Sequence, residues 1–234
     1  RRDDRRVVGR RVLRHRGRAG VSDFSLADFE ARARARLSPG VFPEALDPAF
    51  LPLHGDYRIN PGDIDTDLLG RARAAAVLIA AVEREGQAAL ILTERTPHLR
   101  AHSGQVAFPG GKIDPEDDGP VGAALREAEE EIGLSRAALT VVGHLDPYIT
   151  TSGYRIAPVV AVAREPFAYA LNEHEVARVF EAPLAFLMDG ANHARKSRLW
   201  QWRDRYFYEM PWNGHYIWGV PAGLIRLLQE RLYS

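Results

Sequence analysis

One stretch constrains this chain more than any other: residues 108–134, FPGGKIDPEDDGPVGAALREAEEEIGL. A glycine-rich turn leads through an acidic loop into a predicted helix that carries Glu127, Glu129, Glu130 and Glu131 within five positions. At about 100° per residue, Glu127, Glu130 and Glu131 fall on one face and Glu129 points elsewhere. Like charges at this spacing destabilise a helix by about 0.2–0.5 kcal/mol per pair, so the face is costly unless a cation sits on it. Hard divalent cations such as Mg²⁺ and Mn²⁺ prefer carboxylate oxygen. An acidic run is most often a solvated helix face, but the residues around this one argue for more. Pro109-Gly110-Gly111 lets the backbone approach a ligand closely, and Gly133 predicts the helix stop. Ala124, Leu125, Ala128 and Ile132 make the other face apolar and suited to packing on a sheet.

The segment Arg126-Glu127-Ala128-Glu129-Glu130-Glu131-Ile132-Gly133-Leu134 resembles the second half of the signature of the Nudix hydrolases, which act on nucleoside diphosphates linked to another group. The first half departs from that pattern, which asks for Gly, five residues, Glu, seven residues and the Arg-Glu pair. Here Gly111 is followed after five residues by Asp117, and eight residues separate Asp117 from Arg126. The roles of Asp117 and Asp118 are therefore open. A second resemblance adjoins it. Ile91-Leu92-Thr93, Arg95, Arg100, Gly104 and Phe108-Pro109-Gly110-Gly111 are similar to the extra signature of the coenzyme A diphosphatase branch, with Ile91 in place of the usual Leu and Thr96 in place of Ser or Ala. Similarity to bacterial members of that branch continues through Thr150-Thr151-Ser152-Gly153-Tyr154, residues 172–189, Met210-Pro211-Trp212-Asn213-Gly214 and Ile217-Trp218-Gly219.

The resemblance implies an α/β (α+β) fold, a mixed β-sheet sandwiched between helices. It implies Mg²⁺- or Mn²⁺-dependent hydrolysis of the diphosphate of coenzyme A, or of acyl-CoA, to 3′,5′-ADP and 4′-phosphopantetheine. Glu127 and Glu131 would be direct metal ligands and Glu130 a ligand or proton acceptor, with the Gly111 carbonyl completing the shell. Arg126 would orient a carboxylate. Arg95 and Arg100, beside Gly110, Gly111 and Lys112, would bind substrate: Arg contacts phosphate in a bidentate manner, so the two arginines are expected at the ribose 3′-phosphate of coenzyme A, the alternative being that one of them only braces the loop. Many members draw a further carboxylate from beyond the signature, and Glu175 is the candidate, with Glu173 second. Against Glu175 stands its spacing from Asn172, which is that of a capping box opening a helix packed through Val176, Val179 and Phe180. The alternatives are a Nudix hydrolase of ADP-ribose, NADH or an oxidised nucleotide, and a non-catalytic Nudix-fold binding protein.

At 234 residues, with 46% hydrophobic and 26% charged residues, the chain suits one domain with extensions. It divides into a basic arm at 1–21, a helix and Pro-rich connector at 22–73, and the catalytic domain at 74–234. The net charge of zero hides an asymmetry, because residues 1–20 hold nine Arg and two Asp, about +7. Such an arm attracts nucleic acid or an anionic surface. It lacks interleaved aromatics and an apolar stripe, so a solvated, disordered arm without a nucleic-acid partner is expected. Cysteine is absent, which excludes a disulfide framework and thiolate metal sites. No apolar run nears about 18 residues, so no membrane partner is expected, and the location expected is cytoplasmic.

The remaining pattern predicts a helix over 25–37 opened by Ser25 and Asp28, then a connector punctuated by Pro39, Pro43, Pro48, Pro52 and Pro61 that wraps the outside. Strands are predicted at 74–82, 88–93, 139–145 and 156–163. Alternation through Leu199 to Tyr208 predicts a hairpin turning at Arg203-Asp204-Arg205. The aromatic residues 200–218 suit adenine stacking, a core or the surface of a homodimer. An amphipathic helix over 219–232 closes the domain.

Overall fold

The computed structural model describes residues 23–63, 66–98, 103–164, 166–200 and 202–234. The basic arm and Arg100 lie outside the described residues. Among the described residues the α-helices are α1 (Leu26–Arg36), α2 (Thr66–Arg71), α3 (Gly119–Ile132), α4 (Leu184–Leu187) and α5 (Val220–Leu232). The strands are β1 (His54–Gly55), β2 (Arg73–Arg84), β3 (Gln87–Arg95), β4 (Val106–Ala107), β5 (Gly110–Lys112), β6 (Leu139–His144), β7 (Tyr148–Ile149), β8 (Tyr154–Ala163), β9 (Val176–Pro183), β10 (Ala194–Trp200), β11 (Arg203–Trp212) and β12 (His215–Trp218).

β2 is apolar along almost its whole length because both faces are covered. It pairs parallel with β8 and antiparallel with β3, and its first residues also pair with β5. The sheet is therefore mixed, running β1-β7-β8-β2-β3-β4, with β5, β6 and β9 attached to β2, β8 and β3. Alternate residues of the central strands feed two cores. Ile79, Leu90, Leu92 and Val160 pack with Phe29 and Ala33 of α1 and Leu224, Ile225 and Leu228 of α5. Leu78, Ala80, Ile91 and Val159 pack with Ala124, Ala128 and Ile132 of α3. Helices thus sandwich the sheet, as the family resemblance implies. Ser25 caps α1 by accepting from the Asp28 N–H at 3.1 Å, as its spacing predicts.

Two local expectations fail. The capping-box spacing of Asn172 and Glu175 opens no helix, because Val176 starts β9, antiparallel to β3. A cap is worth about 1 kcal/mol. Burial of Val176 and Phe180, at about 1.5–3 kcal/mol each, together with the ladder to β3, outweighs it. The second concerns the hairpin, which turns before Arg203 rather than at 203–205: Trp200 pairs with Arg203, and Trp202 takes φ 65°. Arg203-Asp204-Arg205 lies within β11, and β10–β12 form a separate three-stranded sheet.

The connector does more than wrap the outside. Arg155 on β8 is 1% exposed, and its guanidinium donates to the carbonyls of Phe50 at 2.5 Å, Pro48 at 3.2 Å and Leu69 at 3.5 Å. Burial pushes its pKa down, and it forms no salt bridge among the described residues. Arg155→Ala is expected to leave these carbonyls without a donor and to cost about 2 kcal/mol, seen as a Tm about 5 °C lower by calorimetry. An unchanged Tm would show that the connector does not depend on this tether.

Candidate active site

Three elements build the site: the glycine turn entering β5, helix α3, and the turn before β9. Gly110 approaches β2 so closely that a Cβ there would meet the Ala76 carbonyl, and one on Gly111 would meet the Glu127 carboxylate. This is the physical reason for the Gly-Gly pair. The Gly110 N–H donates to Glu131 Oε2 at 3.3 Å, so the turn faces the helix carboxylates. α3 stops at Gly133, which has φ 69° and donates to the Ala128 and Glu129 carbonyls, a left-handed cap.

The acidic face splits by depth. Glu131 is 3% exposed, and burial, reinforced by Glu127, pushes its pKa up to about 8. Burial also raises the Glu127 pKa, against the pull of Arg126. Glu130 lies at the exposed end of the face. Glu175 feeds like charge to both Glu127 and Glu131. Its backbone is fixed by Thr96 N–H donating to its carbonyl at 2.9 Å and by its own N–H donating to Asn172 at 2.9 Å. Glu173 and His174 are exposed.

Arg126 is the hub of the acidic loop. Nε and Nη2 donate to the two Asp117 oxygens, each at 2.9 Å, and Nη1 reaches Glu127 and Glu130, each at 3.0 Å. Nη2 also donates to the Lys112 carbonyl at 3.2 Å. The hydrogen bond from Arg126 holds the Asp117 carboxyl below the usual carboxylate range. Asp117 closes the loop by accepting from the Asp114 N–H at 2.8 Å. The shortened acid and longer loop therefore deliver a carboxylate to Arg126, while Asp118, just before α3, makes no side-chain cap. Arg95 Nη1 stands 3.7 Å from Glu131 Oε1, and its Nε is buried without a hydrogen-bond partner.

A cavity of about 880 Å³ brings Arg95, Gly110, Gly111, Lys112, Glu127, Glu130, Glu131 and Glu175 together. It also takes in residues that local sequence pattern does not single out. Asp56 and Asn60 come from the connector, Asp56 accepting from the Tyr148 hydroxyl at 2.9 Å and the Thr151 N–H at 3.0 Å. Trp200, Tyr206, Phe207, Tyr208 and Trp218 of the small sheet line it, whereas Trp212 stacks on Phe180 in the core region. Among the described residues no three carboxylates or imidazoles already stand at the spacing of a ligand set. The donors are nonetheless all oxygen, and burial, reinforced by neighbouring carboxylates, opposes the charged forms of Glu127 and Glu131, an opposition that a hard cation relieves. The residues present fit a divalent metal in the chemistry of their donors.

A family model described as the NUDIX domain matches residues 72–192. An uncharacterized Nudix hydrolase NudL of Escherichia coli O7:K1 (strain IAI39) is 42% identical over 165 residues, covering 67% of this chain and 81% of its own. The protein of the same description from Escherichia coli strain K12 matches at the same identity and coverage. Among solved structures, the crystal structure of a Nudix hydrolase from M. smegmatis, RenU, shares 28% identity over 50% of this chain and 74% of its own, with a TM-score of 0.43.

Proposed function

Because the chain belongs to the Nudix hydrolase family, whose members act on nucleoside diphosphate derivatives and generally use divalent metal ions such as Mg²⁺ or Mn²⁺, we propose that it hydrolyses the diphosphate of coenzyme A or its thioesters to 3′,5′-ADP and (acyl-)4′-phosphopantetheine. The observation that carries the reading is the single cavity uniting Glu127, Glu131 and Glu175 with Arg95 and the Gly110-Gly111 turn. The order Arg95, Gly104, Phe108-Pro109-Gly110-Gly111 supports the coenzyme A branch within the family.

Attack of water on a diphosphate is slow because the reacting phosphorus and the leaving group are both anionic. A bound divalent cation neutralises charge on the phosphoryl oxygens and lowers the pKa of a bound water. Glu127 and Glu131 would hold it, with Glu130 and the Gly111 carbonyl at the edge of the shell. Arg126 positions Glu127 and Glu130 through its contacts to both. Arg95, beside Glu131, offers its guanidinium to a non-bridging phosphate oxygen. Glu175 lines the same cavity as Glu127 and Glu131 and accepts the proton of the attacking water as the oxygen–phosphorus bond forms. The anhydride oxygen leaves with the departing phosphate.

A side-by-side assay with Mg²⁺ or Mn²⁺ on coenzyme A, ADP-ribose and NADH tests the substrate. The expected result is a kcat/KM for coenzyme A about tenfold or more above either competitor. Preference for ADP-ribose or NADH would move the chain to another specificity within the family.

A further inference from the structure

We infer that Arg198 and Arg205, on the small sheet, form a second anion subsite of the same cavity, taking a phosphate monoester that the substrate carries on its nucleoside outside the diphosphate. This rests on the function proposed above and adds the determinant that separates its substrate from other nucleoside diphosphates.

The first observation is the register. Arg198 of β10 lies directly opposite Arg205 of β11, so both side chains leave the same face of the sheet. Like charges directly opposite one another destabilise a sheet, and an anion between them turns that repulsion into attraction. The second is compensation. Arg205 Nε is 3.7 Å from Asp63, which also stands 3.9 Å from Arg203, so one carboxylate is shared at long range by two guanidinium groups. Arg198 forms no salt bridge among the described residues and leans over the Trp200 ring at 5.9 Å. The pair keeps a net positive charge.

Placement is the third. Both arginines line the cavity that holds Glu127, Glu130, Glu131 and Glu175. Phe207 and Trp200, each two residues from one of the arginines, share their face, and Trp218 meets the Phe207 ring edge-on at 5.3 Å. Aromatic faces of this kind accept a flat base. The cavity therefore combines a carboxylate cluster suited to cations and an anhydride, aromatic faces suited to a purine, and a separate cationic pair. Arg95 is engaged at Glu131 within the carboxylate cluster, and Arg198 and Arg205 are the cationic pair that shares a face with Trp200 and Phe207; having Arg95 there rather than at the additional phosphate departs from the expectation drawn from sequence. ADP-ribose and NADH carry no such group, whereas coenzyme A carries it on the ribose 3′ oxygen.

The test compares coenzyme A with dephospho-coenzyme A, identical except for the 3′-phosphate, on the full chain and on R198Q, R205Q and the double variant. The double variant is expected to lower the ratio of kcat/KM for coenzyme A over dephospho-coenzyme A by about tenfold or more, mainly through KM. Equal losses on both substrates, or no loss on coenzyme A, would overturn the subsite. Should the unmodified chain cleave neither substrate, the proposed function fails separately and binding decides the subsite. Calorimetry with 3′,5′-ADP and 5′-AMP is then expected to show a preference for 3′,5′-ADP that the double variant loses, and equal affinity of the unmodified chain for the two nucleotides would overturn it.

Discussion

If coenzyme A is the substrate proposed above, Glu131→Gln is expected to lower kcat on it by about 10³-fold or more while leaving the fold intact, because a carboxamide keeps the shape of the side chain and removes the charge that would hold a divalent cation. The structure makes this substitution unusually clean. Glu131 is buried at the end of α3, and its ionised form is opposed by burial and by Glu127. Gln retains an oxygen to accept from Gly110 and relieves the repulsion with Glu127. Thermal unfolding should therefore show no lower Tm in the variant. Substantial metal-dependent turnover by Glu131→Gln would remove Glu131 from the ligand set.

Arg126→Ala should damage both activity and stability, since one guanidinium reaches Asp117, Glu127 and Glu130, with Asp114 at 3.5 Å. Without it the carboxylates of the loop and of α3 repel each other, and Asp117 loses its bidentate partner. A cost of about 1–3 kcal/mol in unfolding free energy is expected, together with a fall in kcat/KM on the order of 10–100-fold. Arg126→Lys restores a charge without the fork and should recover stability more than activity. If Arg126→Ala reduces neither Tm nor kcat/KM, the hub is an ordinary surface ion-pair cluster worth little.

The parts of the site that were legible in sequence are those in which neighbouring residues decide the outcome. The apolar face of α3, its stop at Gly133 and the glycine turn are local matters of period and backbone freedom, so residues 108–134 announced a helix with a carboxylate face. The runs in β2, β3 and β8 were legible because both their faces are buried. What sequence hid depends on partners far along the chain. Asn172 and Glu175 carry a cap spacing, yet β3 needs a neighbour and recruits Val176–Pro183 as a strand. Asp56 and Asn60 look like loop residues of a Pro-rich connector until Tyr148, Thr151 and Tyr206 are seen to hold them at the cavity. The hairpin turn was misplaced because a tryptophan at φ 65° has no compositional signature. Asp117 appeared as a defect of the Nudix pattern, and only the geometry of the longer loop reveals a carboxylate delivered to Arg126.

Mass analysis of the products formed from coenzyme A in the presence of Mg²⁺ or Mn²⁺ tests the central claim most directly, since it reads the substrate and the cleaved bond together. The account predicts 3′,5′-ADP and 4′-phosphopantetheine in equal amounts, with oxygen from solvent appearing in one of the two new phosphate groups and no inorganic phosphate released. Intact coenzyme A under conditions where another nucleoside diphosphate derivative is cleaved, or cleavage elsewhere than at the diphosphate, would contradict it.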